Sequence, residues 1–190
     1  MNESIRIGDI PGGRIHMIGI GGSSMSGLAE MLMEKGYDVS GSDRDEGYLI
    51  HHVREKGCRV MIGHRAENVH GADLVVYSAA IAADNPERTE AERLGIPSIE
   101  RAVLLGQLME GFEKAVGICG AHGKTTVTSM VSQILLETGK DPSIHIGGRL
   151  DAKSALTILC EKTGAEPIQF IGRRFVMYRP SRENPQIVIE

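Results

Sequence analysis

Seven residues constrain this chain more than any others: Gly120-Ala121-His122-Gly123-Lys124-Thr125-Thr126. An apolar run, Ala115-Val116-Gly117-Ile118-Cys119, leads into them. Behind them Val127, Met130, Val131, Ile134 and Leu135 recur at helical spacing, which predicts a helix with these residues on one face. The order is strand, glycine-rich loop, helix. N–H groups at a helix N-terminus lack carbonyl partners, and the helix dipole adds to their pull on an anion. Lys124 is placed to reach the β- and γ-phosphates of a nucleoside triphosphate, and the Thr125 hydroxyl to hold Mg²⁺. Residues 120–126 are thus an expected nucleoside-triphosphate loop, with Lys124 as its cation. The long form of this motif wants a glycine five positions before Gly123, where Ile118 stands. A tight turn with a solvated lysine is the bland alternative.

A second glycine turn lies near the start. Residues 14–19 read as a buried strand, and Gly19-Ile20-Gly21-Gly22-Ser23-Ser24-Met25-Ser26-Gly27 follows. Met25, Leu28, Ala29 and Leu32 then share a helix face, and Gly36 ends the helix. A second strand, 37–42, runs into Asp43. This βαβ opening cradles a diphosphate at its turn and sets an acid near a ribose or base. A nicotinamide-dinucleotide site has the same outline, but its third glycine would fall at Ser24. That alternative stays open, as does a purely structural turn.

The pattern repeats. Residues 47–56 read as a polar helix, 59–62 as a strand before Gly63-His64, and 74–77 as a strand before Ser78. Pro86 sits near the first position of the next helix. A short strand over 95–99 and a helix over 101–110 complete the first unit. Alternating strands and helices predict a parallel, doubly wound sheet whose ligands bind at the carboxyl ends of strands. Gly21, Asp43, His64 and Ser78 fall at such ends. The first turn has neither lysine nor threonine, so it is expected to hold the diphosphate of a substrate. The candidate substrate contacts are Gly19, Gly21, Gly22, Ser23, Met25, Ser26, Ser42, Asp43, His64 and Ser78.

Composition narrows the class. A net charge of −4 gives no bulk attraction to nucleic acid or membrane. Cys58, Cys119 and Cys160 are scattered with no CxxC, which suggests reduced thiols in the cytoplasm. Residues 1–13 have no apolar stretch like that of a signal peptide. The longest apolar run, near 74–83, is too short to span a bilayer. His51-His52, on a polar helix, read as surface residues.

These marks together resemble the Mur ligase family over residues 14–151. They are His16-Met17-Ile18-Gly19-Ile20-Gly21-Gly22, Met25-Ser26-Gly27, Val39-Ser40-Gly41-Ser42-Asp43, Gly63-His64, Ser78-Ala79-Ala80-Ile81, Asn85-Pro86-Glu87, Arg101-Ala102, the 120–126 loop, Asp141-Pro142 and Ile146-Gly147-Gly148. The resemblance implies that the first domain binds the UDP part of UDP-N-acetylmuramate and that residues 120–126 bind ATP. It implies that the lactyl carboxylate attacks the γ-phosphate, and that L-alanine then displaces phosphate from the acyl phosphate. Two departures are local: Ser24 and Ala121 stand where the family usually has Gly and Thr.

The larger departure follows Asp151, where 39 residues remain. The family's acidic Mg²⁺ ligand, modified lysine and adenine contacts are not among them, so binding without turnover is the expectation for this chain by itself. Ala152, Ala155, Leu156 and Leu159 suggest a short helix, and 167–171 with 175–180 a hairpin turning at Gly172. Thr163-Gly164-Ala165, Gln169-Phe170-Ile171-Gly172-Arg173 and Tyr178-Arg179-Pro180-Ser181 resemble the C-terminal half of a CRM-type RNA-binding domain. That resemblance implies an RNA contact by Arg173 and Arg174, against the alternative of an amphipathic hairpin with a solvated face. The fold expected is α/β: a Rossmann-like UDP-sugar domain over 1–110, the start of a P-loop ATPase domain over 111–151, and a CRM-like tail over 152–190. A non-catalytic UDP-sugar-binding module with an RNA-binding tail is the alternative to a ligase.

Overall fold

The computed structural model describes residues 5–138 and 142–146, with the backbone alone of 186–189. The chain forms two compact units, Met1–Gly111 and Phe112–Glu190. The expected helix and hairpin of the tail, with Arg173 and Arg174, lie outside the described residues.

Five parallel strands build the first unit: β1 (Arg14–Ile18), β2 (Asp38–Asp43), β3 (Arg59–Ile62), β4 (Leu74–Tyr77) and β5 (Ser98–Glu100). Their order is β3-β2-β1-β4-β5. β1 pairs with β2 and β4, so both its edges are hydrogen-bonded, and Ile15, His16, Met17 and Ile18 are all fully buried, as expected of a central parallel strand. The helices are α1 (Ser23–Glu34), α2 (Tyr48–Glu55), α3 (Pro86–Arg93) and α4 (Arg101–Glu110). Burial along α1 falls on Met25, Ser26, Leu28, Ala29, Met31 and Leu32. The 3.6-residue period thus carried its expected face and extended it by one side chain on each flank.

Local chemistry sets where α3 begins. Pro86 occupies its first turn, and the Asn85 side chain accepts from the N–H groups of Glu87 and Arg88. This cap fixes the orientation of Glu87, which points into the protein and is fully buried. Residues 5–9 add a feature absent from the sequence reading. The Ile7 N–H donates to Gln107 Oε1, Gln107 Nε2 donates to Ile5 O, and Tyr37 Oη donates to Ile7 O. Cys58 is buried and its thiol is pushed up to about 12, chiefly by burial.

Strand order reverses at β1: its partner on one side is β2 and on the other β4. Ligands in open parallel sheets lie beyond the carboxyl ends of the strands at such a switch point.

In the second unit, β6 (Ala115–Ile118), α5 (Lys124–Glu137), β7 (Ile144–His145) and β8 (Gln186–Ile189) follow. Their sheet has the order β6-β8-β7, all parallel. The β8 strand lies beyond the hairpin expected over 167–180, at residues where the sequence predicts no strand. The expected helix forms as α5, with its apolar residues on one side, but that side is not the most buried one. Val127 and Ile134 are 45% and 61% exposed, and the buried side chains are Thr128, Ser129 and Ser132. Thr128 Oγ1 and Ser129 Oγ satisfy themselves on the Lys124 and Thr125 carbonyls, so this polar stripe is buried with two of its three hydroxyls bonded.

Candidate functional site

The first glycine turn hangs from the end of β1. The N–H groups of Gly19 and Ile20 both donate to Ser42 O on β2, and that of Gly22 donates to Gly19 O. Gly21 is held by a different contact: its N–H donates to Asp43 Oδ2 at 2.8 Å. A Cβ on residue 21 would lie 2.8 Å from that oxygen and 3.0 Å from Ile50 Cδ1, which is why glycine stands there. Asp43 Oδ1 accepts from the Arg44 N–H. The acid read from the sequence as a ribose contact therefore first ties the end of β2 to the turn.

Gly22 is the N-cap of α1 and contributes no side chain to the first turn. Ser23 is exposed at the head of this helix. Met25 and Ser26 are 2% and 3% exposed, so the Met25 side chain belongs to the core and the Ser26 hydroxyl returns to Ser23 O. Ser24, the missing third glycine, lies inside α1, and no non-glycine residue has a positive φ among the described residues. A serine is unstrained there, and its Oγ accepts from Arg101 Nη1 at 3.0 Å. Nothing in the sequence alone ties Arg101 to this helix, 77 residues away.

At the end of β4, Ser78 Oγ accepts from the Ala80 N–H, a Ser-type turn. Arg88 braces this loop: its Nη1 donates to Ile81 O and its guanidinium stacks 4.0 Å from the Tyr77 ring centroid.

Beside the turn lies a buried polar cluster that sequence reasoning grasped only in part. Ser42 is fully buried, and its Oγ donates to Glu87 Oε2 at 2.6 Å. His64 Nδ1 stands 3.0 Å from the same Glu87 oxygen and 3.1 Å from Ser42 Oγ. Asn68 Nδ2 bridges Gly63 O and Glu87 Oε1. His16, fully buried on β1, meets Ser40 Oγ through Nδ1 at 3.0 Å. Its Nε2 lies 3.6 Å from Glu87 Oε1 and has no hydrogen-bond partner. Burial would raise the Glu87 carboxyl, but the nearby His16 ring and the hydrogen bonds from Ser42 and Asn68 outweigh it and hold the group down at about 2. This is not a nucleophilic triad. Ser42 and Glu87 meet the same ring nitrogen, and the hydroxyl has no access to solvent. The signal that could have found Glu87 is its place two residues after a capping Asn, which turns the side chain inward.

In the second unit, the 120–126 loop is largely exposed. Gly123 caps α5 at φ +79°, a left-handed conformation in which only glycine is unstrained, and no side chain caps the helix. Lys124 Nζ donates to Gly120 O at 2.6 Å and so closes across its own loop. Thr125 and Thr126 are exposed. Among the described residues no group of three or more His, Cys, Asp or Glu side chains is arranged to hold a metal ion.

Comparison with known proteins covers most of this architecture. The model of the Mur ligase family, catalytic domain, matches residues 14–113, more than half of the chain. The chain is 54% identical over 137 residues to a UDP-N-acetylmuramate–L-alanine ligase of Alkaliphilus metalliredigens, a match spanning 72% of this chain and 30% of the relative. The corresponding ligase of Acetivibrio thermocellus is 52% identical over 138 residues, which are 73% of this chain and 29% of that one. The chain thus spans about 30% of the length of the curated relatives it matches. Among solved structures, UDP-N-acetylmuramate-alanine ligase from Thermotoga maritima superposes with a TM-score of 0.74 at 26% identity, over 93% of this chain and 36% of that one. UDP-N-acetylmuramate:L-alanyl-gamma-D-glutamyl-meso-diaminopimelate ligase from Neisseria meningitides gives 0.72 at 27% identity, over 94% and 52%. With the switch-point glycine turn, the parallel five-stranded sheet and this family match in agreement, the chain belongs to the Mur ligase family.

Proposed function

We propose that this chain supplies the UDP-sugar grip and the ATP loop of an ATP-dependent ligase that joins L-alanine to UDP-N-acetylmuramate in peptidoglycan precursor synthesis. The observation that carries the reading is the glycine turn at the head of α1, set at the sheet's switch point in a chain of this family. In it, the 19–22 turn and the first turn of α1 hold the diphosphate, while Asp43, His64 and Ser78 line the neighbouring strand ends.

The 120–126 loop fits a triphosphate by its donors: an uncapped helix N-terminus behind a left-handed glycine, with one ammonium beside it. Lys124 would exchange its bond to Gly120 O for the β- and γ-phosphates. The Thr125 hydroxyl would give Mg²⁺ one ligand, and the ion would supply charge neutralisation to the phosphates. Transfer of the γ-phosphoryl group to the lactyl carboxylate, and displacement of phosphate from the resulting acyl phosphate by the L-alanine amine, ask of these residues mainly alignment and charge.

Titration calorimetry with UDP-N-acetylmuramate and, separately, ATP with Mg²⁺ tests the assignment. The expected result is two independent sites, with Lys124→Ala removing only the ATP site. Absence of UDP-N-acetylmuramate binding would overturn the reading. A phosphate-release assay with all three substrates then reports on turnover.

The scattered thiols and a described chain with no helix long and apolar enough to cross a membrane support a cytoplasmic setting. For the tail, the basic and aromatic residues alone support RNA contact by Arg173 and Arg174. Salt-dependent RNA binding lost in Arg173→Ala/Arg174→Ala is its test.

A further inference from the structure

His64 can present only one kind of atom to a ligand, and Glu87 decides which. The Ser42 hydroxyl spends its proton on Glu87 Oε2, because a carboxylate can only accept. His64 Nδ1 faces the same carboxylate oxygen at 3.0 Å and the oxygen of that hydroxyl at 3.1 Å. Both neighbours are acceptors toward the ring, so Nδ1 must carry the proton. In the neutral ring Nε2 then holds a lone pair. Nδ1 is turned into the buried cluster, so the 21% of the side chain that stays exposed belongs to the opposite edge, where Nε2 lies. The cluster is locked from several elements: His16 on β1, Ser42 on β2, Asn68 on the turn after β3, and Glu87 at the head of α3. The low-lying Glu87 carboxyl keeps it an acceptor across the neutral range.

The position of His64 selects the ligand atom. A diphosphate at the β1 turn and a ribose by Asp43 at the end of β2 would carry the base one strand further out, to the end of β3. His64 stands two residues beyond that strand. A uracil ring has a single N–H donor once joined to ribose, its N3–H.

We propose that His64 Nε2 accepts a hydrogen bond from the uracil N3–H of the bound UDP-sugar, and that Glu87 is the positioning residue that holds the ring in the tautomer able to do so. This rests on the UDP-sugar reading of the first unit.

The full chain is titrated at mildly alkaline pH with UDP and with UDP methylated at N3. The wild type is expected to bind UDP about tenfold more tightly than the methylated analogue, the loss of one hydrogen bond. In His64→Ala the preference disappears. ¹⁵N NMR of the ligand-free wild type shows His64 protonated at Nδ1. In Glu87→Gln, where an amide can donate to the ring, the two tautomers mix and the preference shrinks, although circular dichroism still shows a folded chain. If Glu87→Gln does not fold, Glu87→Asp, which draws the carboxylate one methylene back from Nδ1, takes its place with the same expected signs. Failure of the wild type to bind UDP at all overturns the UDP-sugar reading itself. Binding of UDP without preference over the analogue, a preference that survives His64→Ala, or an Nε2-protonated His64 overturns this inference alone. An unchanged tautomer in the Glu87 variant overturns the positioning role.

Discussion

Replacing Glu87 with glutamine should cost the first unit stability in a way that depends on pH. The carboxyl stands at about 2 in the folded chain, against an ordinary value of 4.5. A carboxylate whose value is lowered on folding contributes stability that is fully present above its unfolded value and lost as the pH falls through its folded one. The difference of roughly 2.5 units corresponds to about 3 kcal/mol. At neutral pH the charge accepts from Ser42, His64 and Asn68 inside the protein. Glutamine keeps the shape but sets an N–H against at least one of these donors, so Glu87→Gln should be about 3 kcal/mol less stable there. The gap should close as the pH falls from about 4.5 toward 2, because protonation removes the wild-type advantage. The chain has no tryptophan, so far-UV circular dichroism during urea unfolding is the assay. Glu90, which Arg93 and His70 also hold low, is common to both proteins and cancels in the difference. A gap that stayed constant between neutral and acid pH, or widened toward acid, would refute the reasoning.

Lys124→Ala should weaken ATP binding by one to two orders of magnitude, the range for a charge-assisted hydrogen bond, and calorimetry should find UDP-N-acetylmuramate binding unaltered. Asn85→Ala removes the cap that accepts from Glu87 and Arg88, and should cost about 1 kcal/mol in thermal or urea unfolding. Ser24→Gly should also destabilise, by up to about 1 kcal/mol in the same assay, because residue 24 is helical and its hydroxyl bonds Arg101. If the turn instead demanded a third glycine, that variant would gain stability.

Much of the first unit was legible because its signals are local. Strands 14–18, 59–62 and 74–77 are apolar runs bounded by glycine and polar residues, and Pro86 behind Asn85 marks a helix start by sterics and capping alone. The two glycine turns were legible for the same reason: backbone geometry at a strand-to-helix junction depends on few residues.

Periodicity found α5, but the side chains it buries are Thr128, Ser129 and Ser132, while Val127 and Ile134 are exposed. Helix spacing tells which residues share a side, not which side meets a sheet. The polar cluster escaped for a related reason. Ser42, His64, Asn68 and Glu87 come from three separate stretches of sequence, and each by itself is an ordinary surface residue type. Only the sheet order β3-β2-β1-β4 brings them into one buried site. What the sequence alone determined, then, was the alternation of strands and helices and the two glycine turns, because short-range sterics and hydrogen bonding dictate both. Tertiary structure alone decided that Asp43 binds the glycine turn and that His64 is held by a buried carboxylate, because partners 22 and 23 residues apart meet only once the strands are in register.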